Sequence, residues 1–124
     1  MSTILIIEDN EKNMKLLRDV LTFKGHEVIE AVDGETGVAL GKSRKPDLVL
    51  MDIQLPGING VEALKQLRAD EHTAHIPIIA VTASVMDQDR REIIDAGFDA
   101  FVSKPVNLKE FMVAVNKALE GDRR

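Results

Sequence analysis

The chain has 124 residues, 44% of them hydrophobic, which is enough to bury the core of one compact domain. Its 16 Lys and Arg against 21 Asp and Glu leave a net charge of −5, which argues against a protein whose main task is to grip nucleic acid electrostatically. Cysteine is absent, excluding disulfides and thiolate metal sites, and no apolar run approaches the ~20 residues of a membrane span or follows a basic segment as in a signal peptide, so a cytoplasmic protein is expected.

Strand-like and helix-like stretches alternate from the start. Ile4-Leu5-Ile6-Ile7 is a continuous apolar run and reads as a first strand. Met14, Leu17 and Leu21 then share one helical face, with Leu16 and Val20 beside it, Asn10 as N-cap and Gly25 as stop. Val28–Val32 is the second predicted strand. Asp33 can cap a second helix reaching about Ser43, although Gly37 and Gly41 weaken its helical propensity. Pro46 ends that connection, and Leu48–Met51 is the third strand. A loop with Pro56-Gly57 and Asn59-Gly60 follows, then a helix marked by Val61, Leu64 and Leu67. Ile76–Val81 is the fourth strand, with Pro77 near its start. A polar helix from Met86 to Ala96 stops at Gly97, and Ala100–Val102 is a short fifth strand. Leu108, Phe111, Met112, Val115 and Leu119 form the clearest helical stripe, with Asn107 and Glu110 at capping-box spacing. The pattern predicts an α/β fold, a doubly wound five-stranded parallel sheet with five helices, filling residues 1–124 as a single domain without a long linker, a repeat or a low-complexity segment.

Four of the apolar runs lead directly into chemically useful residues: Glu8-Asp9, Asp52, Thr82 and Lys104-Pro105. In an open parallel sheet, ligands bind beyond the carboxyl ends of the strands. Three carboxylates, a hydroxyl and an ammonium are therefore expected to converge at one sheet edge. This donor set suits a hard cation together with phosphate oxygens. Each residue alone has a plainer reading. A lone Asp at a strand end is usually a turn former or cap, adjacent acids are usually a solvated pair, a Lys after a strand is usually solvated, and Thr82 is an ordinary strand residue. Asp52 differs in having no helix start beside it to cap.

The ordered segments Ile6–Asn10, Leu50–Gly60, Ala80–Ala83 and Val102–Pro105 resemble those of the response-regulator receiver family, whose flavodoxin-like fold has the predicted layout. The resemblance covers essentially the whole chain, and within the family it is strongest to single-domain regulators of bacterial cell division. It implies that Asp52 is the phosphoacceptor, receiving a phosphoryl group from a histidine kinase or a histidine phosphotransfer protein. It further implies a Mg²⁺ ion held by Asp9, Asp52 and the backbone carbonyl of Gln54, with Glu8 acting through water. Lys104 would pair with a phosphoryl oxygen, Thr82 would bond the phosphoryl group, and the Lys104-Pro105 bond would be cis. Phe101 falls where the family places an aromatic switch residue, and is also readable as plain core. Output is expected through a protein partner rather than nucleic acid or membrane, and the domain would catalyse its own phosphorylation and dephosphorylation.

Other readings fit less well. The chain could be a receiver module excised from a hybrid histidine kinase or a larger regulator. An aspartyl-nucleophile phosphohydrolase would want a second Asp at Gln54, and a cap domain besides. A flavodoxin-like electron carrier would need a phosphate-binding loop where Glu8-Asp9-Asn10-Glu11 is acidic. A DNA-binding regulator would need an effector domain, and Arg123-Arg124 is a short basic patch.

Overall fold

The computed structural model describes residues 2–83 and 87–120. Ten elements alternate: β1 Thr3–Ile7, α1 Glu11–Phe23, β2 Glu27–Ala31, α2 Gly34–Arg44, β3 Leu48–Asp52, α3 Gly60–Ala69, β4 Ile78–Thr82, α4 Asp87–Ala96, β5 Ala100–Ser103 and α5 Leu108–Glu120. Met86, expected to open the fourth helix, and the Arg123-Arg124 pair lie outside the described residues.

The strands form one sheet in the order β2-β1-β3-β4-β5, and every pairing is parallel. The chain winds from β1 outward to β2, then returns to build the other half from β3. Strand order therefore reverses between β1 and β3, the place where this class of sheet opens a crevice. The helices cover both faces. Leu5, Ile7, Val49, Met51, Ile78 and Ala80 point toward α2, α3 and α4, while Ile4, Ile6, Leu48, Leu50 and Ile79 point toward α1 and α5. Burial on both faces is why β1 and β3 read as unbroken apolar runs rather than alternating ones.

Strand boundaries differ from the sequence reading by one or two residues, for identifiable reasons. β3 runs one residue further, so Asp52 is its last residue, paired with Val81, rather than the first residue after it. β4 starts at Ile78 and ends at Thr82, because Pro77 has no N–H to donate and only its carbonyl joins the ladder, accepting from Val49 at 3.0 Å. β2 is shifted one residue earlier, leaving Val32 outside and 58% exposed.

The helix starts are set by side-chain caps. Asn10 Oδ1 accepts the Asn13 N–H, Asp33 Oδ1 that of Thr36, Asn59 Oδ1 that of Glu62 and Asn107 Oδ1 that of Glu110. The two glycines that weaken α2 as an isolated helix are what let it lie on the sheet. A Cβ at position 37 would collide with the Ile7 side chain, and one at 41 would stand 2.8 Å from Leu67 Cδ2. No helix among the described residues is long and apolar enough to cross a membrane.

Candidate functional site

At the carboxyl edge of the sheet, β1, β3, β4 and β5 end side by side. Glu8 follows β1 directly, and its N–H donates to the Ala31 carbonyl at 2.9 Å, which fixes the strand exit. Its side chain is turned inward and only 1% exposed. Oε2 accepts the Asn10 N–H at 3.1 Å and a hydrogen bond from Lys104 Nζ at 3.3 Å. Oε1 lies 3.3 Å from the same ammonium but accepts no hydrogen bond, a buried carboxylate oxygen without a donor among the described residues. Asp52, 5% exposed, is held from both sides: Oδ1 accepts the Gln54 N–H at 3.0 Å, and Oδ2 accepts from Lys104 Nζ at 3.0 Å. Asp9 faces solvent, yet ligand oxygens of Glu8, Asp9 and Asp52 all lie within 4.8 Å of one another.

Lys104 reaches this cluster because β5 ends at Ser103 and its own N–H donates to the Thr82 carbonyl at 2.8 Å. The Lys104-Pro105 bond is cis. Thr82, 4% exposed, ends β4 opposite Ser103 and one strand away from Asp52. Gln54 is exposed and meets the cluster through its N–H on Asp52. Phe101 lies within β5, three residues before Lys104. It pairs with Ala80 and packs, half-buried, against the core on the α2–α4 face.

The charges are unevenly balanced. Burial pushes the Glu8 carboxyl above its usual range, and the charge of Asp52 pushes the same way. The Asn10 N–H and the Lys104 ammonium only partly oppose this. For Lys104, burial pulls downward, but the hydrogen bond that it donates to Asp52 and the charges of Glu8 and Asp52 outweigh it, so the ammonium is held above its ordinary value. Two buried acids, a third at the rim and one ammonium thus share one edge. The orphaned Glu8 oxygen and the all-oxygen donor set fit a hard divalent cation.

Two groups near the site have a second role that the sequence does not mark. Asn10 is legible as a cap, but its backbone N–H also orients Glu8. Gly60 reads as a turn residue, yet any Cβ there would lie 2.7 Å from Ile53 Cα and 2.8 Å from the Asp52 carbonyl oxygen, so it lets α3 start against the end of β3. A cavity of about 400 Å³ adjoins Glu8 and Asp9, walled by Lys12, Arg18 and Val32. Another of about 380 Å³ opens at the opposite sheet edge, between Lys45, His72 and Leu119, and includes none of the predicted site residues.

The sequence matches the family model of the response regulator receiver domain over residues 4–116. The polar-differentiation response regulator DivK of Brucella anthropi is 42% identical over 117 residues, covering 94% of this chain and 95% of that protein. DivK of Brucella ovis is 43% identical over the same length and shares. The receiver domain of a sensor histidine kinase from Pseudomonas aeruginosa superposes with a TM-score of 0.89 at 30% identity, covering 96% of this chain and 98% of that one. That structure holds a magnesium ion coordinated in its active-site cleft. The chemotaxis response regulator CheY4 of Vibrio cholerae shares the fold, with a TM-score of 0.91 at 23% identity over 96% of this chain and 99% of that one.

Proposed function

This chain belongs to the response regulator receiver domain family of two-component signalling, and from that premise we propose that Asp52 takes a phosphoryl group from a phosphohistidine donor and that the phosphorylated domain signals by protein contact. The observation that carries this reading is the convergence of Glu8, Asp9 and Asp52 with the Lys104 ammonium, 3.0 Å from Asp52 Oδ2. An Asp52 oxygen attacks phosphorus in line, an acyl phosphate forms, and the phosphorus–nitrogen bond to the donor imidazole breaks. Hydrolysis later replaces Asp52 by water at the same phosphorus. The domain thereby catalyses both its phosphorylation and its dephosphorylation.

The difficulty in this step is that two anions meet. Lys104 supplies one positive charge from the protein, moving from the free carboxylate to a phosphoryl oxygen as a point charge. Mg²⁺ would be held by Asp9, Asp52 and the Gln54 carbonyl, with Glu8 acting through water, and would supply further charge neutralisation. Thr82 directs its hydroxyl to the phosphoryl group, and Phe101 responds through packing, because Phe has no hydroxyl to donate. The donor is a histidine kinase or a histidine phosphotransfer protein, and the output partner is a protein. Residues 1–124 act as a single receiver domain.

Incubation with acetyl phosphate and Mg²⁺ should add one phosphoryl group to the intact mass, and Asp52→Asn should abolish the addition. Equal labelling of the variant would overturn the assignment.

A further inference from the structure

The end of the sheet remote from Asp52 carries one side chain with an unusual set of partners. Arg68, in the last turn of α3, donates from Nη1 to the carbonyls of Ala74 at 3.0 Å and Ile76 at 2.6 Å. From Nη2 it donates to the Gly97 carbonyl at 3.2 Å and to Asp99 Oδ2 at 2.8 Å. The pair is mostly buried, with side chains 23% and 17% exposed. Asp99 Oδ2 also accepts the Ile78 N–H at 2.8 Å, while the Asp99 N–H donates to the Ile78 carbonyl at 2.9 Å. One guanidinium thus binds the end of α3, the connection into β4, the residue that ends α4 and the residue before β5.

Gly97 is the point where α4 stops. Its φ of +117° is open to glycine and rarely to other residues, and its N–H closes the helix on Ile94 at 3.1 Å. Ile93 and Phe98, 5% and 3% exposed, anchor the same end in the core. A helix of 10 residues is about 15 Å long, and the other end of α4 is the one that follows Thr82 in the chain.

We propose that Arg68 is a positioning residue for α4: by holding Gly97 and Asp99 it fixes the C-terminal end of the helix, so that a change arriving from Thr82 turns α4 about Gly97 rather than sliding it along the sheet. This rests on the phosphoacceptor reading of Asp52 for its trigger, but the clamp is a property of the resting fold. A charge-assisted fork on three carbonyls and a carboxylate resists translation of all the segments it joins. Rotation about a glycine costs little by comparison.

The test uses the full chain with Mg²⁺, labelled with nitrogen-15 and titrated with beryllofluoride as phosphoryl mimic. In the wild type, amide shifts along α4 should shrink toward Gly97–Asp99. In Arg68→Met, the Gly97–Asp99 amides should move as far as the rest of the helix and exchange with solvent faster before any ligand is added. Mg²⁺ affinity should not change, because Glu8, Asp9 and Asp52 sit at the other edge. Arg68→Lys, which keeps a single charged donor, should fall between the two, and Asp99→Asn serves if the Met variant does not fold. A gradient that survives in the variants, or is absent from the wild type, overturns the proposal. If beryllofluoride does not bind the wild type, the phosphoacceptor reading fails, and the exchange comparison alone decides the clamp: unchanged exchange at Gly97–Asp99 overturns it.

Discussion

Glu8 is the residue whose energetics are most exposed to experiment. Its carboxyl is buried, raised above the ordinary value and left with one unsatisfied oxygen. The folded state therefore binds this proton more tightly than the unfolded chain does. The resulting stability is fully present below the unfolded value of about 4.5 and is lost as pH rises through the higher folded value. Without Mg²⁺, the melting temperature should fall across that window, and Glu8→Gln should flatten the slope. Mg²⁺ competes with the same proton, so its affinity should rise with pH over the same range. A Glu8→Gln profile identical to the wild type would show that another group titrates. Asp9 behaves differently because it is solvent-exposed. Asp9→Ala should weaken Mg²⁺ binding and phosphorylation while relieving like-charge repulsion, changing apo stability by about 1 kcal/mol or less. A large drop in melting temperature would instead make Asp9 a structural residue. These positions were legible from sequence because each sits where an apolar run stops. The contacts between them were not, since Lys104 meets Asp52 and Glu8 across 52 and 96 residues of chain.

The second helix illustrates the difference between local propensity and packing. Gly37 and Gly41 lower its intrinsic helicity and weaken its signal in the sequence. Both glycines are buried, and they admit the sheet and α3 at contact distance. Gly37→Ala, which improves helix propensity, should therefore destabilise the fold by about 1–3 kcal/mol, because the new methyl meets the fully buried Ile7 side chain. Chemical denaturation distinguishes the outcomes, and a stabilised variant would mean that α2 shifts without cost. Arg68 was illegible for a related reason. Nothing in the sequence around it marks it, and its partners at 74, 76, 97 and 99 are brought to it only by the turns after α3 and α4. Where a helix signal is local, as in the caps at Asn10, Asp33 and Asn107, the start is legible; where it depends on what the helix touches, it is not.

Across the whole molecule, the sheet divides the core into two clusters, one under α1 and α5 and one under α2, α3 and α4. Phe101 belongs to the second, packed against it from β5 with Ala80 of β4 as its neighbour. Thr82, the last residue of β4, stands two residues after Ala80 and so shares that face of the strand. Continuous apolar runs made the strands and their approximate ends readable, but the division into two clusters depends on which way each residue points, and that is fixed only by the register between strands. Beryllofluoride with Mg²⁺ is therefore expected to move the amides of Ile93, Ile94 and Phe101 more than those from Asn13 to Phe23. Phe101→Ala should leave Asp52 able to accept a phosphoryl group, because the carboxylates and the ammonium around Asp52 come from Glu8, Asp9 and Lys104 and not from Phe101. The same variant should shrink the α4 shifts, because packing is the only coupling a Phe can offer. Any partner that distinguishes the two states must then lose part of its preference, since a ligand shifts a population only through its differential affinity for the two forms. If Phe101→Ala leaves the α4 shifts undiminished, the signal leaves the site by another route, and the half-buried Phe101 serves the core alone.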